Sequence, residues 1–103
     1  MEDKAMARYM AFFEVDTSRT PDDAKARKAQ WLAAQELVKA KLKEGALKEW
    51  GGFAGELSGY MIVEGSAADL HAVTAAWVPM VKFTTKQIIT IEEVNKVTKA
   101  LPE

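Results

Sequence analysis

Apolar and polar positions fall into short β-prone runs separated by helix-period stretches. Residues 8–15, Arg-Tyr-Met-Ala-Phe-Phe-Glu-Val, are aromatic and β-prone and predict a first strand. A polar connection, 16–20, leads to Thr20-Pro21-Asp22-Asp23, where Thr20 reads as an N-cap, Pro21 as the first helical residue and the two acids as partners of the positive helix end. The helix should run to about Glu44, with Gly45 ending it in the left-handed conformation. Ala24, Trp31, Val38 and Leu42 recur on one face at the 3.6-residue period. A second stripe, Ala26, Ala29, Ala33, Leu37 and Ala40, lies opposite, where helix propensity and a helix–helix contact explain it equally well. Lys39, Lys41 and Lys43 fall in the last turns, where cations favour the negative dipole end.

Residues 46–50 read as a short second strand, Gly51, Gly52 and Gly55 as a flexible turn, and 58–64 as a third strand. Ser66 with Asp69 predicts a capping box opening a second helix, whose buried face carries Leu70, Val73, Thr74 and Trp77 before Pro79 stops it. Residues 83–90 read as a fourth strand, and Thr90 with Glu93 caps a short last helix bearing Val94, Val97 and Leu101. The order is β-α-β-β-α-β plus a terminal helix, which predicts an α+β, ferredoxin-like fold with a four-stranded antiparallel sheet. Residues 6–103 form one domain, preceded by a disordered N-terminal stretch, 1–5.

The first and third strands should be antiparallel neighbours. Setting Arg8 opposite Glu64 places Met10 against Ile62 and Phe12 against Tyr60, and gathers the charges of both strands on one face. The other face, Tyr9, Ala11, Phe13, Val15, Met61 and Val63, then packs under the helices. The uncovered face carries Arg8, Met10, Phe12, Glu14, Tyr60, Ile62 and Glu64, joined by Lys86 and Ile88. A solvated sheet face should be polar throughout, whereas this one has an apolar centre rimmed by charge. Such a patch marks a binding surface, and a homodimer joined through the sheet faces would bury it.

At 103 residues and 49% hydrophobic content the chain supports one core. A net charge of −1, from 14 basic and 15 acidic residues, argues against nucleic acid as a partner. Without cysteine, thiolate metal sites and cysteine nucleophiles are excluded, and a reducing compartment is suited. No apolar run approaches the ~20 residues of a membrane span. The polar N-terminus does not resemble a signal peptide, so a cytoplasmic location without a membrane partner is expected.

The stretch Gly59-Tyr60-Met61-Ile62-Val63-Glu64-Gly65, the helix ending Trp77-Val78-Pro79 and the segment Ile88-Ile89-Thr90-Ile91-Glu92-Glu93 resemble a family of small bacterial proteins. That family is similar to the dimeric α/β-barrel superfamily, in which two ferredoxin-like subunits face their sheets to close a barrel. With the first strand, the resemblance covers most of the chain after Met6 and implies a homodimer, without bringing an active-site motif. The superfamily holds cofactor-independent monooxygenases, cyclases, isomerases, haem-degrading enzymes and members of unknown role, so the fold does not choose a reaction.

His71 is the sole histidine, and it lies on the flank of the second helix's buried face. It suits a boundary position or proton transfer better than an axial haem contact. Asp16, Asp22 and Asp23 lack calcium-loop spacing and read as caps, so no metal site is expected. Ser18 and Ser58 lack a nucleophile-elbow context, and Gly51-Gly52-Phe53-Ala54-Gly55 lacks the lysine and hydroxyl of a phosphate loop. Glu14 and Glu64 share the uncovered face with Tyr60. Cross-strand pairing with Arg8 or Lys86 accounts for them, while burial without a cation would make either a general base. Trp31 and Trp77 read as core, and the facing of Trp50 is open. Phe12, Tyr60 and Trp50 are the candidate contacts of a small aromatic ligand.

Two functions remain. One is a non-catalytic homodimer that binds a small ligand or serves as an accessory protein. The other is a cofactor-independent monooxygenase-, cyclase- or isomerase-like enzyme acting on an aromatic or polyketide-like compound through Glu14 or Glu64 with Tyr60. Neither calls for a cofactor.

Overall fold

The computed structural model describes residues 7–103; the stretch 1–5, expected to be disordered, lies outside them. The chain forms β1 (Ala7–Val15), α1 (Ala24–Glu44), β2 (Glu49–Gly52), β3 (Ser58–Gly65), α2 (Ala67–Ala75), β4 (Val81–Ile88) and α3 (Ile91–Lys99). The four strands make one antiparallel sheet in the order β2-β3-β1-β4, the βαββαβ topology expected from the sequence.

The register is the one that charge placement dictates. Arg8 pairs with Glu64, Met10 with Ile62 and Phe12 with Tyr60. On β4, Ile88 lies opposite Arg8 and Lys86 opposite Met10, so both join that face. The alternate face supplies Ala11, Met61 and Val63, which form the buried cluster with Val38 of α1 and Leu47. Leu42, Trp50, Leu70, Val73, Trp77 and Phe83 pack around it. Removing Leu47 and Val63 from water contributes about 1.5–3 kcal/mol each.

Several boundaries differ from expectation. The N-cap of α1 is Asp23 rather than Thr20: its carboxylate accepts from the Ala26 N–H at 2.8 Å. Thr17–Arg19 form a 3-10 turn that Thr20 closes in extended conformation, so Pro21 precedes the helix instead of opening it. Asp16 accepts from the Ser18 N–H at the start of that turn. Gly45 does end α1 left-handed, at φ 87°. The Ala-rich stripe of α1 is exposed from Ala26 to Ala40 and faces no helix among the described residues.

The second strand begins at Glu49 rather than 46, because the chain leaving α1 turns once more, Leu47 N–H donating to Lys41 O, and drops Leu47 into the core. Gly51 and Gly52 are strand, not turn. The fourth strand lies two residues earlier than expected. Val81 pairs with Val15 at the end of β1, and Thr90 is taken from the sheet by the cap of α3. The α2 helix ends at Ala75, yet Trp77 still reaches the core from the following turn. Both capping boxes are present: Ser66 with Asp69, and Thr90 with Glu93.

Candidate functional site

The α1 helix lies over the sheet through one narrow stripe. Val38 is its only buried residue, while Ala34 and Trp31, one and two turns earlier, are half-buried. The space beneath is a cavity of about 240 Å³. Its walls are aromatic: Phe13 and Phe83 from the sheet, Trp50 from β2, Trp31 from α1 and Trp77 from the turn after α2. All three tryptophans of the chain line it. Phe13 stacks on Trp50 with ring centroids 5.3 Å apart and planes 20° from parallel. The guanidinium of Arg27 lies over Trp31, 5.9 Å from the ring centroid.

Polar groups border the cavity from α1 and from the β2–β3 hairpin. Gln35, Glu56 and Ser58 contribute to the lining, and the Ser58 hydroxyl donates to Glu56 at 2.6 Å. Few polar groups on an aromatic wall are the ordinary chemistry of a small-molecule pocket. A dry cavity of roughly 150 Å³ accepts one benzene ring, so this one has room for a fused bicyclic compound.

The residues singled out from the sequence separate into three places. Trp50 faces the helices and lines the cavity, since it pairs with Met61 on the core side of the sheet. Phe12, Glu14, Tyr60 and Glu64 occupy the opposite face. There Glu64 meets Arg8 at 3.5 Å, the cross-strand pairing expected of it, while Glu14 is exposed between Ser58 and Lys82. His71 is exposed on α2, in a shallow cleft with Asp16, Arg19 and Thr74.

Tyr60 has a partner the sequence did not suggest. Its hydroxyl donates to the carboxylate of Glu49 on β2, and its ring lies beside that of Phe53, centroids 6.2 Å apart. Gly51 makes the room: a Cβ there would stand 2.5 Å from the Tyr60 ring. The hydrogen bond to Glu49 raises the Tyr60 pKa above its ordinary value, with smaller contributions from desolvation and the Glu49 charge. The hydroxyl therefore remains a donor at neutral pH. Glu49 lies within the strand expected at 46–50, but only the β2–β3 register, Gly51 opposite Tyr60 and Glu49 opposite Ile62, sets it on the face of Tyr60.

Among the described residues no three His, Asp or Glu side chains gather as a metal ion requires, and no helix is long and apolar enough to cross a membrane. Comparison with protein-family profiles, with curated proteins and with solved structures finds no match, and the likeness to a ferredoxin-like fold rests on topology alone.

Proposed function

We propose that the chain is a homodimeric small-ligand-binding protein of the dimeric α/β-barrel type, holding a planar, apolar compound beneath α1 without transforming it. The observation that carries this reading is the aromatic cavity: five rings line it, and the candidate acid–base groups Glu14, Glu64, Tyr60 and His71 do not. Stacking on those rings would provide affinity, and Gln35 or the Glu56–Ser58 pair would orient a single polar substituent. The half-buried apolar side chains of the helix-free face, Met10, Phe12, Tyr60 and Ile88, support dimerisation through the sheets, whereas Ile62, expected among them, is buried.

Titration with 2-naphthol tests the binding, followed through the indole N–H signals of Trp31, Trp50 and Trp77. Saturable shifts at all three are expected. Shifts restricted to Arg8, Phe12 and Tyr60, or none up to the probe's solubility, would count against the cavity as the site.

A second reading, a cofactor-independent enzyme, draws on the Tyr60–Glu49 hydrogen bond, a carboxylate–tyrosine pair on the face that a barrel would enclose. Mass analysis of the probe after prolonged incubation in air separates the two. Unchanged probe favours binding alone; a product that disappears in Tyr60→Phe favours the enzyme.

A further inference from the structure

The α3 helix has an apolar side that no other described residue covers. Every residue from Ile91 to Leu101 is exposed. Ile91, Val94, Val97 and Leu101, spaced along one side of the helix, are 72%, 41%, 59% and 59% exposed. Glu92, Lys96 and Lys99 point the other way, which leaves a charge-free stripe of the width that surface helices bury. With 9 residues, α3 is shorter than the ~12–15 at which isolated helices become even marginal in water. Such a helix persists only against a partner surface.

Its direction is fixed at the root. Two residues, Ile89 and Thr90, join it to β4, and the Thr90–Glu93 capping box holds the first turn, Thr90 N–H to Glu93 at 2.8 Å and Glu93 N–H to Thr90 at 3.1 Å. The stripe continues through Ile89, 54% exposed, towards Ile88 on the helix-free face. One apolar surface therefore runs from the half-buried Ile88 on the sheet onto the exposed side of the helix.

We propose that α3 is an exchange arm whose stripe seats on a second copy of this chain, each copy receiving the other's helix under one twofold operation. The inference deepens, and rests on, the homodimer proposed above. Two observations favour a second copy over a foreign partner. The arm and the uncovered face belong to the same molecule, so reciprocal exchange satisfies both and leaves no open end. The exposed area is also of the size such an exchange consumes. The chain exposes 7479 Å², against roughly 5,800 Å² for a folded monomer of its mass. That excess is larger than the about 800 Å² each partner gives to a standard interface. The radius of gyration, 16.8 Å, likewise exceeds the about 13 Å of a compact domain of this length.

The chain has no cysteine, so Lys99→Cys on the polar side of α3 gives a single site for a spin label. Labelled chains without isotope are mixed with isotope-labelled wild type, so that any broadening arises across the interface. We expect broadened amides on the receiving copy. Val94→Glu should weaken the dimer by roughly ten-fold or more, whereas Glu92→Ala on the opposite side should leave it unchanged. A dimer with no broadening between copies and an unaltered Val94→Glu dissociation constant overturns the arm and leaves the sheet-joined dimer standing. A wild type that sediments as a monomer at high micromolar concentration overturns both.

Discussion

The ring of Phe13 occupies the space that any side chain at Gly59 would need. The two residues are paired across β1 and β3, and a Cβ on Gly59 would stand 2.7 Å from the Phe13 ring and 2.1 Å from the carbonyl oxygen of Gly51. A glycine on one strand thus seats an aromatic from the next, and Phe13 in turn stacks on Trp50. Gly59→Ala should destabilise the fold by at least about 1–3 kcal/mol, because one of the obstructing atoms is backbone and cannot rotate away. Urea unfolding measures this, and a midpoint equal to wild type would show that β2 and β3 shift apart at little cost.

Capping of α1 separates two neighbouring residues. Asp23→Ala removes the acceptor of the Ala26 N–H and should cost about 1 kcal/mol. Thr20→Ala removes only a long contact from its hydroxyl to Asp16 O, 3.4 Å, and should change stability by less than about 0.5 kcal/mol. Denaturation midpoints of the two variants, measured side by side, check the assignment; the reverse order would return the cap to Thr20.

That difference illustrates what the sequence can express. Thr20-Pro21-Asp22-Asp23 contains two valid caps, and the choice depends on the 3-10 turn at Thr17–Arg19, which sets where the chain becomes free to enter a helix. The β1–β3 register was legible because Arg8 and Glu64 must both reach water, and a slip of one residue would bury them. The facing of Trp50 was not legible. Gly51 and Gly52 weaken the strand signal, and at Gly51 the Tyr60 ring from β3 fills the space that the missing side chain leaves. Nor was the cavity legible, since Trp31, Trp50 and Trp77 carry the same periodicity whether α1 packs tightly or stands off the sheet.

The α2 capping box should appear in the acid limb of the stability profile. The Ser66 backbone N–H, and then its hydroxyl, hold the Asp69 carboxyl below its ordinary pKa. Because the folded state binds this proton less tightly than the unfolded chain, the contribution is complete above the unfolded value, about 3.9, and is lost as pH falls through the lower folded value. Asp69→Asn should be less stable than wild type at neutral pH and should lose less on acidification. Urea midpoints measured from neutral pH into this range test it; parallel profiles for the two proteins would remove the box as a source of the acid dependence.

Filling the cavity should separate ligand binding from stability. Ala34 is half-buried on α1 and lines the space between Trp31 and Val38, whereas Ala33, one residue earlier, is exposed. In Ala34→Phe the new ring would occupy volume now left open among Phe13, Trp50 and Trp77. Helix propensity falls by up to about 0.7 kcal/mol on replacing alanine, while burying a phenyl group contributes about 1.5–3 kcal/mol where it fits without strain. The variant should therefore fold at least as stably as wild type and bind 2-naphthol at least roughly ten-fold more weakly. Ala33→Phe carries the same propensity cost with its ring in solvent, and should bind as wild type does. The indole signals of the three tryptophans report both variants in one titration. Wild-type affinity in a folded Ala34→Phe protein would exclude the space beneath α1 as the ligand site, and the helix-free face with Phe12 and Tyr60 would then be the place to map.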